Sequence, residues 1–178
     1  MRLVPWTPDD LARRLDDAIA VYGEAMGYAP DLLEARRGYI GTHLRRSGFR
    51  AVATLTTDGR LVGFGYGYAS APGQWWHDQV RGALDLKARE AWLADCFEVV
   101  ELHVRPGAQG HGIGARQLRA LLSVASGATT LLSTPEADEK ASRAWRLYRR
   151  FQFVDVIRDF HFPGDSRAFA ILGRPLPL

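Results

Sequence analysis

Cysteine is almost missing from this chain: Cys96 stands alone among 178 residues. No intrachain disulfide can form, so stability has to come from burial, and the composition suits a reducing compartment. Long apolar runs are missing too. None approaches the ~18 residues that a transmembrane helix requires. The start, Met1-Arg2-Leu3-Val4-Pro5-Trp6, lacks the apolar core of a secretory signal. These absences predict a cytoplasmic protein without a membrane partner. Charge of one sign is also in short supply. The net charge is +3 despite a pI near 9.3, too small a bias to argue for nucleic acid. His43, His103, His111 and His161 show no metal-ligand spacing, so no metal is expected. There is no internal repeat, linker or low-complexity segment. The chain is expected to be one domain over residues 1–178, with a core of ordinary size.

What is present centres on residues 97–115. Phe97 to Val104 is rich in Val, Phe and Leu and free of Gly and Pro, as a sheet strand requires. Arg105-Pro106-Gly107 ends it. Gln109-Gly110-His111-Gly112-Ile113-Gly114 then places three glycines at alternate positions, and Ile113, Leu118, Leu121, Leu122 and Ala125 recur at helical spacing. Glycines at a helix entrance let backbone N–H groups approach a ligand closely. The helix N-terminus adds unpaired donors and a positive dipole end. Together they predict an anion site, suited to a phosphate or pyrophosphate.

The rest of the chain reads in order. Leu3 to Trp6 is a first strand. Thr7-Pro8-Asp9-Asp10 opens a helix, with Thr7 as cap and Pro8 at its first position. Its apolar stripe runs through Leu11, Leu15, Ala18, Ile19 and Tyr22. A second helix covers about Asp31 to Leu44. Phe49 to Thr56 and Leu61 to Ala69 form a hairpin about Asp58-Gly59. Gly63, Gly65 and Gly67 leave one face of its second strand bare, which suggests close packing or close approach by a ligand. A less regular insert reaches Asp95, with Trp75, Trp76 and His77 and a helix from about Gln79 to Leu93. Beyond the glycine loop come a strand, Thr129 to Ser133, and a helix, Glu136 to Phe151. A closing hairpin follows, Phe153 to Phe162 with Arg167 to Leu172. This order implies an α/β chain with a mixed sheet flanked by helices.

The loop fits the pattern Gln/Arg-x-x-Gly-x-Gly/Ala, and the strand before it ends in Val104-Arg105-Pro106. In this setting the chain resembles the GCN5-related N-acetyltransferase (GNAT) superfamily. Element order agrees over nearly the whole chain, and motifs agree over about Phe97 to Phe153. The resemblance implies the acyl-CoA N-acyltransferase fold: a largely antiparallel sheet of six to seven strands, about four flanking helices and an insert before the fourth strand. It further implies acetyl coenzyme A as donor, slotted where the sheet splits between the fourth and fifth strands. Backbone groups of Leu102, His103 and Val104 would meet the pantetheine arm. The N–H groups of Gln109, Gly110, His111, Gly112, Ile113, Gly114 and Ala115 would hold the pyrophosphate.

The implied reaction is N-acetyl transfer to a primary amine of a small molecule or protein, by direct attack in a ternary complex. It needs an amine deprotonated, an oxyanion stabilised and a thiolate protonated. Tyr148, in Tyr148-Arg149-Arg150-Phe151-Gln152-Phe153, matches the family's acid, and a phenol suits a thiolate leaving group. Its competing role is a core aromatic beside Ala144 and Phe151. Glu98 lies eleven residues before Gln109, where many members carry a glutamate base. Glu101 is the competitor, pointing oppositely on a regular strand and sharing a face with Val99 and His103. Ordered water is a third route.

Two positions depart from the family. Ala141 stands where the family often has Asn, so one polar contact to the cofactor or its water is expected to be lost or to shift to Ser142. Gln152 replaces a Gly, which is expected to change the turn after the helix. The acceptor stays open. Trp75, Trp76 and His77 either line an amine pocket or pack beneath a loop. His111 either touches phosphate or faces solvent.

A dinucleotide-binding oxidoreductase does not fit, because the glycines alternate in mid-chain and no acid follows on the next strand. A Walker-type site lacks its Lys-Ser/Thr. A non-catalytic acyl-CoA sensor on the same fold is the remaining alternative. So is a larger acyl donor, with room along the Gly63, Gly65 and Gly67 face. The resemblance is also compatible with a homodimer.

Overall fold

The first turn of helix shows how local chemistry sets the elements. Thr7 Oγ1 accepts from the Asp10 N–H at 3.1 Å, and Asp10 Oδ2 accepts from the Thr7 N–H at 2.9 Å. This reciprocal box satisfies two donors that the helix leaves unpaired, and is worth about 1 kcal/mol. The structure, a computed structural model, describes the backbone of residues 1–178 and all side chains outside residues 30 and 31. Its elements in chain order are β1 (Arg2–Trp6), α1 (Pro8–Arg13), α2 (Leu15–Met26), α3 (Pro30–His43), β2 (Arg50–Leu55) and β3 (Leu61–Ser70). Then follow α4 (Trp75–Ala83), α5 (Leu86–Trp92), β4 (Cys96–Val104), a 3-10 turn (Pro106–Ala108), α6 (Ile113–Leu122), β5 (Thr129–Pro135), α7 (Arg143–Arg150), β6 (Val154–Phe160) and β7 (Phe169–Pro175).

The order of strands and helices is the expected one, and the fold is a mixed α/β arrangement with seven strands. Among the described residues there are seven α-helices, because two of the expected helices are each divided; a third is shorter than expected. The first predicted helix breaks at Arg14, which leaves the helical region at φ −111°, ψ 22°. Its guanidinium bonds the Gly59 carbonyl at 3.1 Å. The helix predicted over Gln79 to Leu93 is two helices, because Asp85 caps the second by accepting from the Ala88 N–H at 2.8 Å. The helix predicted from Glu136 starts only at Arg143. Asp138 Oδ1 takes the N–H groups of Lys140 and Ala141 at 2.9 and 2.7 Å, offering the backbone a turn in place of a helix.

The chain divides into two compact units: Met1–Tyr68 with Val99–Ala125, and Ala69–Glu98 with Ser126–Leu178. In the first, the strand order is β1-β2-β3-β4. β1 pairs antiparallel with β2 from Arg2↔Leu55 to Trp6↔Ala51, and β2 with β3 from Arg50↔Gly67 to Leu55↔Leu61. The core here gathers Leu11, Ile19, Val21 and Tyr22 from the helices with Phe49, Ala53, Phe64 and Tyr66 from the sheet region. In the second unit the order is β4-β5-β7-β6. β4 pairs in parallel with β5 at Cys96↔Thr129, Phe97↔Thr130 and Glu98↔Leu131, and β7 runs antiparallel to both β5 and β6. Its core joins Trp76, Val80, Leu84 and Leu93 of the insert to Cys96, Leu131, Phe162 and Ile171.

Candidate active site

β4 is stiff because its residues favour extended backbone, and its C-terminal end is pinned within the first unit. Arg105 donates its backbone N–H to the Val62 carbonyl at 2.9 Å and its Nε to the Leu61 carbonyl at 2.8 Å. The chain then turns through the 3-10 segment. Gly110 and Gly112 adopt φ +84° and +74°, the left-handed region that favours glycine. A Cβ at Gly110 would meet nothing within 4 Å, and one at Gly112 only an Arg116 Nη1 at 4.0 Å. Gly112 is the N-cap of α6, whose first N–H groups lack intrahelical partners by geometry. A loop with open space before its backbone, leading into a helix N-terminus, fits a pyrophosphate. Gln109 turns its side chain back, Nε2 donating to the Val104 carbonyl at 3.0 Å. His111 is exposed, its Nδ1 3.0 Å from the Gln109 carbonyl.

The sequence reading missed Gln117. It lies on the buried stripe of α6 and is fully buried at 0% exposure. Its Oε1 accepts from Thr54 Oγ1 at 3.2 Å, and its Nε2 lies 3.4 Å from the His103 carbonyl. Its spacing from Ile113 and Leu121 placed it on that stripe, and a polar residue there was a usable signal. The clasp also explains the glycines of β3. A Cβ on Gly63 would lie 2.6 Å from both Gln117 Oε1 and the His103 carbonyl, and one on Gly65 2.8 Å from Leu102 Cδ1. At these two positions the glycine face is filled by packing. Protein atoms there already occupy the space that a larger acyl group was expected to use.

Beside the clasp lies a buried charged cluster. Glu101 is 6% exposed. Arg36 Nη1 of α3 is 3.0 Å from its Oε1, and His103 Nε2 is 2.5 Å from its Oε2. Burial pushes the Glu101 carboxyl up, but the hydrogen bond and the charge of His103, and then the charge of Arg36, outweigh it and hold the group below the usual carboxylate range. A carboxylate so held is a weak base, which favours an orienting role for Glu101 over proton abstraction. Tyr22 meets the His103 ring edge-on at 5.1 Å, and Phe64 lies 5.8 Å from it. Arg36 also stacks over Tyr22 at 4.9 Å. Nearby, His43 Nδ1 is 2.9 Å from Tyr66 OH, and burial lowers its imidazole to about 4.

The other predicted residues lie in the second unit. Glu98 is 4% exposed on β4, opposite Leu131 in register. Tyr148 is 9% exposed on α7 and meets Phe153 edge-on at 5.9 Å. Ser142 caps α7, its Oγ accepting from the Trp145 N–H at 3.3 Å, so that hydroxyl already has a structural task. Gln152 takes φ +62°. The Gln152 N–H bonds the Arg149 carbonyl at 2.9 Å and the Phe153 N–H the Tyr148 carbonyl at 3.1 Å, which is a Schellman closure. The turn that Gly would make is thus kept, and the expected change there is corrected. Trp76 and His77 are buried and hydrogen-bonded, Trp76 Nε1 to Ser133 Oγ at 3.2 Å and His77 Nδ1 to Ser70 Oγ at 3.0 Å. Trp75 is exposed and stacks on Phe162. Of the insert aromatics, Trp76 and His77 are therefore packed side chains, while Trp75 stays open to solvent on one side. Burial pushes the Cys96 thiol up to about 12, which makes it unreactive.

No helix among the described residues is long and apolar enough to cross a membrane. The sequence model of the acetyltransferase (GNAT) family matches residues 13–153. A curated relative, a GCN5-like protein acetyltransferase of Mycobacterium tuberculosis, is 41% identical, with 99% of this chain and 98% of that protein covered. Among solved structures, aminoglycoside 6'-acetyltransferase type Ii superposes with a TM-score of 0.67 at 17% identity, covering 100% of this chain and 99% of that one. NAA60 of Arabidopsis thaliana in complex with acetyl-CoA does so with a TM-score of 0.63 at 15% identity, covering 98% of each chain. At such identities the structures speak for the fold alone, whereas the family match and the curated relative span most of the sequence. The chain belongs to the GNAT family of acetyltransferases.

Proposed function

We propose that this chain, acting as one acyltransferase domain, carries an acetyl group from acetyl-CoA to a primary amine on a protein, by direct attack within a ternary complex. The carrying observation is the loop from Gln109 to Ala115, with left-handed Gly110 and Gly112 and open space before them at the entrance of α6. The first N–H groups of α6 would take the pyrophosphate, and the backbone from Leu102 to Val104 the pantetheine arm. Two carbonyls there already meet Gln109 and Gln117, so the arm would use remaining lone pairs and N–H groups. Tyr148 would protonate the departing thiolate, and Glu98 is a further buried carboxylate near the start of the same strand. The filled space at Gly63 and Gly65 favours acetyl over larger acyl groups. The choice of a protein acceptor rests on the name of the mycobacterial relative.

The test is thermal stabilisation by acetyl-, propionyl- and succinyl-CoA and by free coenzyme A, followed by thiol release with lysine-bearing peptides and small amines. Acetyl-CoA at a hundred times its Kd stabilises by about 2.7 kcal/mol. Absence of stabilisation by all four ends the acyltransferase reading. Stabilisation without turnover on any amine identifies a sensor. Tyr148→Phe is expected to reduce turnover with acetyl-CoA affinity nearly unchanged.

A further inference from the structure

The motif in the glycine loop says nothing about how the amine loses its proton. The cluster on β4 does. Glu101 and His103 are two residues apart on a strand, so their side chains leave the same face. The carboxylate is buried and bonded to both Arg36 and the imidazole. An ionised Glu101 can only accept from His103, so Nε2 carries the proton, and in the neutral ring Nδ1 presents a lone pair. Among the described residues nothing hydrogen-bonds that Nδ1. The ring is held between Tyr22 and Phe64, and its side chain keeps 13% of its surface open. It stands on the stretch of β4 proposed above as the pantetheine rail.

We propose that His103 is the catalytic base of this acetyltransferase and Glu101 the positioning residue that sets its tautomer, with Arg36 holding Glu101 in place. This deepens the reading in Proposed function and rests on it. His103 Nδ1 takes a proton from the substrate ammonium. The freed amine nitrogen forms a bond to the thioester carbonyl carbon. The C–S bond breaks, and the sulfur leaves with the electron pair and takes up a proton. The new amide nitrogen loses its surplus proton, which balances the one taken by the sulfur, and the imidazolium returns its proton to solvent. The sum is one amide, one thiol and one released proton. Glu101 stabilises the imidazolium as it forms, which is what a buried carboxylate on the far nitrogen contributes.

Glu101 bonds this imidazole from its own strand, and Tyr22 of α2 and Phe64 of β3 meet the ring; Arg36 and His43 of α3 act on Glu101, with His43 bonded to Tyr66. Arg36 opposes protonation of the ring, His43 is neutral above a pH of about 4, and the one bonded carboxylate favours protonation. Removing the carboxylate must therefore make the ring harder to protonate.

The experiment compares wild type, His103→Gln, His103→Ala and Glu101→Gln. Acetyl-CoA binding is measured first, by calorimetry. Turnover is then followed from pH 5.5 to 9 with a lysine peptide blocked at its N-terminus. His103→Gln is expected to lower kcat/KM about a hundredfold and to remove the imidazole's ascending limb from the pH profile, with acetyl-CoA affinity within about twofold. Added imidazole restores part of the turnover of His103→Ala and none of that of His103→Gln. A second readout needs no donor: Glu101→Gln lowers the NMR titration midpoint of the His103 ring in the free protein. Turnover within threefold of wild type with the limb unchanged overturns the proposal, as does an unmoved His103 titration in Glu101→Gln. Those results leave the acyltransferase reading intact, since that one fails instead by absent acetyl-CoA binding in the wild type.

Discussion

Two glycine-bearing strands, one in each unit, solve the same steric problem with opposite chemistry. On β3 the space before Gly63 is taken by polar atoms, Gln117 Oε1 and the His103 carbonyl, each 2.6 Å from an added Cβ. On β7 the space before Gly173 is taken by Leu131 Cδ2 at 2.6 Å and Trp92 Cζ3 at 2.8 Å. In the first case the missing side chain lets a helix reach a strand backbone and hold it by hydrogen bonds. In the second it lets an apolar core close. A bare strand face in a sequence therefore marks close approach without saying what approaches.

This contrast can be broken experimentally, and the largest effect is expected at Gly63. Gly63→Ala meets a backbone carbonyl that cannot rotate away and is expected to cost about 3 kcal/mol. Gly173→Ala meets side chains that can shift and should cost about 1–2 kcal/mol. Urea unfolding measures both, and equal losses would remove the distinction between polar and apolar filling. Next comes Gln117→Leu. It leaves Thr54 Oγ1, buried at 3.2 Å from its lost partner, without a hydrogen bond, for a loss of about 1–3 kcal/mol. Adding Thr54→Val to Gln117→Leu should recover much of it, because a pair of buried polar groups removed together costs little. A double variant no more stable than the single one would show that the clasp does not couple the two.

A smaller effect appears with pH in the first unit. His43 titrates at about 4 in the folded chain, mainly through burial, against about 6.5 when unfolded. The unfolded state therefore binds more protons between these values. Stability falls as pH drops from 6.5 through 4, and full stability is present above 6.5. Solvent reaching the ring limits the loss to about 1–2 kcal/mol. His43→Gln should flatten this part of the profile of Tm against pH; a slope equal to that of wild type would show that other groups carry it. The smallest effect is a gain. Gln152 sits at φ +62°, which costs a non-glycine residue about 1–2 kcal/mol. Gln152→Gly recovers this less the extra chain entropy of glycine, for a net stabilisation of about 0.5–1 kcal/mol. A lower Tm in that variant would mean that the Gln152 side chain contributes more than its backbone costs.

Legibility followed the range of the interactions. The loop Gln109 to Ala115, the Thr7 cap and the hairpin at Gly59 were readable because each is decided within a few residues. The first helix was read as one because nothing near Arg14 announces its bond to the distant Gly59 carbonyl. Periodicity makes α7 too long at its start, because Asp138 competes for backbone N–H groups, a choice that helical spacing does not record. At the site, Glu101 and His103 were visible as neighbours on one strand face, but their tie to Arg36 was not. Pairing on a strand says which face a carboxylate takes. Its partner across the layer comes from elsewhere in the chain.

By itself the sequence determined the family, the order of elements and the glycine cradle, since propensity, capping and turn chemistry act locally and agree with one another along this chain. Tertiary structure alone decided that Gln117 closes over the β3 glycines and that the chain after α7 keeps a glycine-like turn without glycine. It also decided that the buried carboxylate on β4 is Arg36's and His103's partner. Each of these depends on which distant group fills a desolvated space, and burial leaves a polar group no choice but to find one.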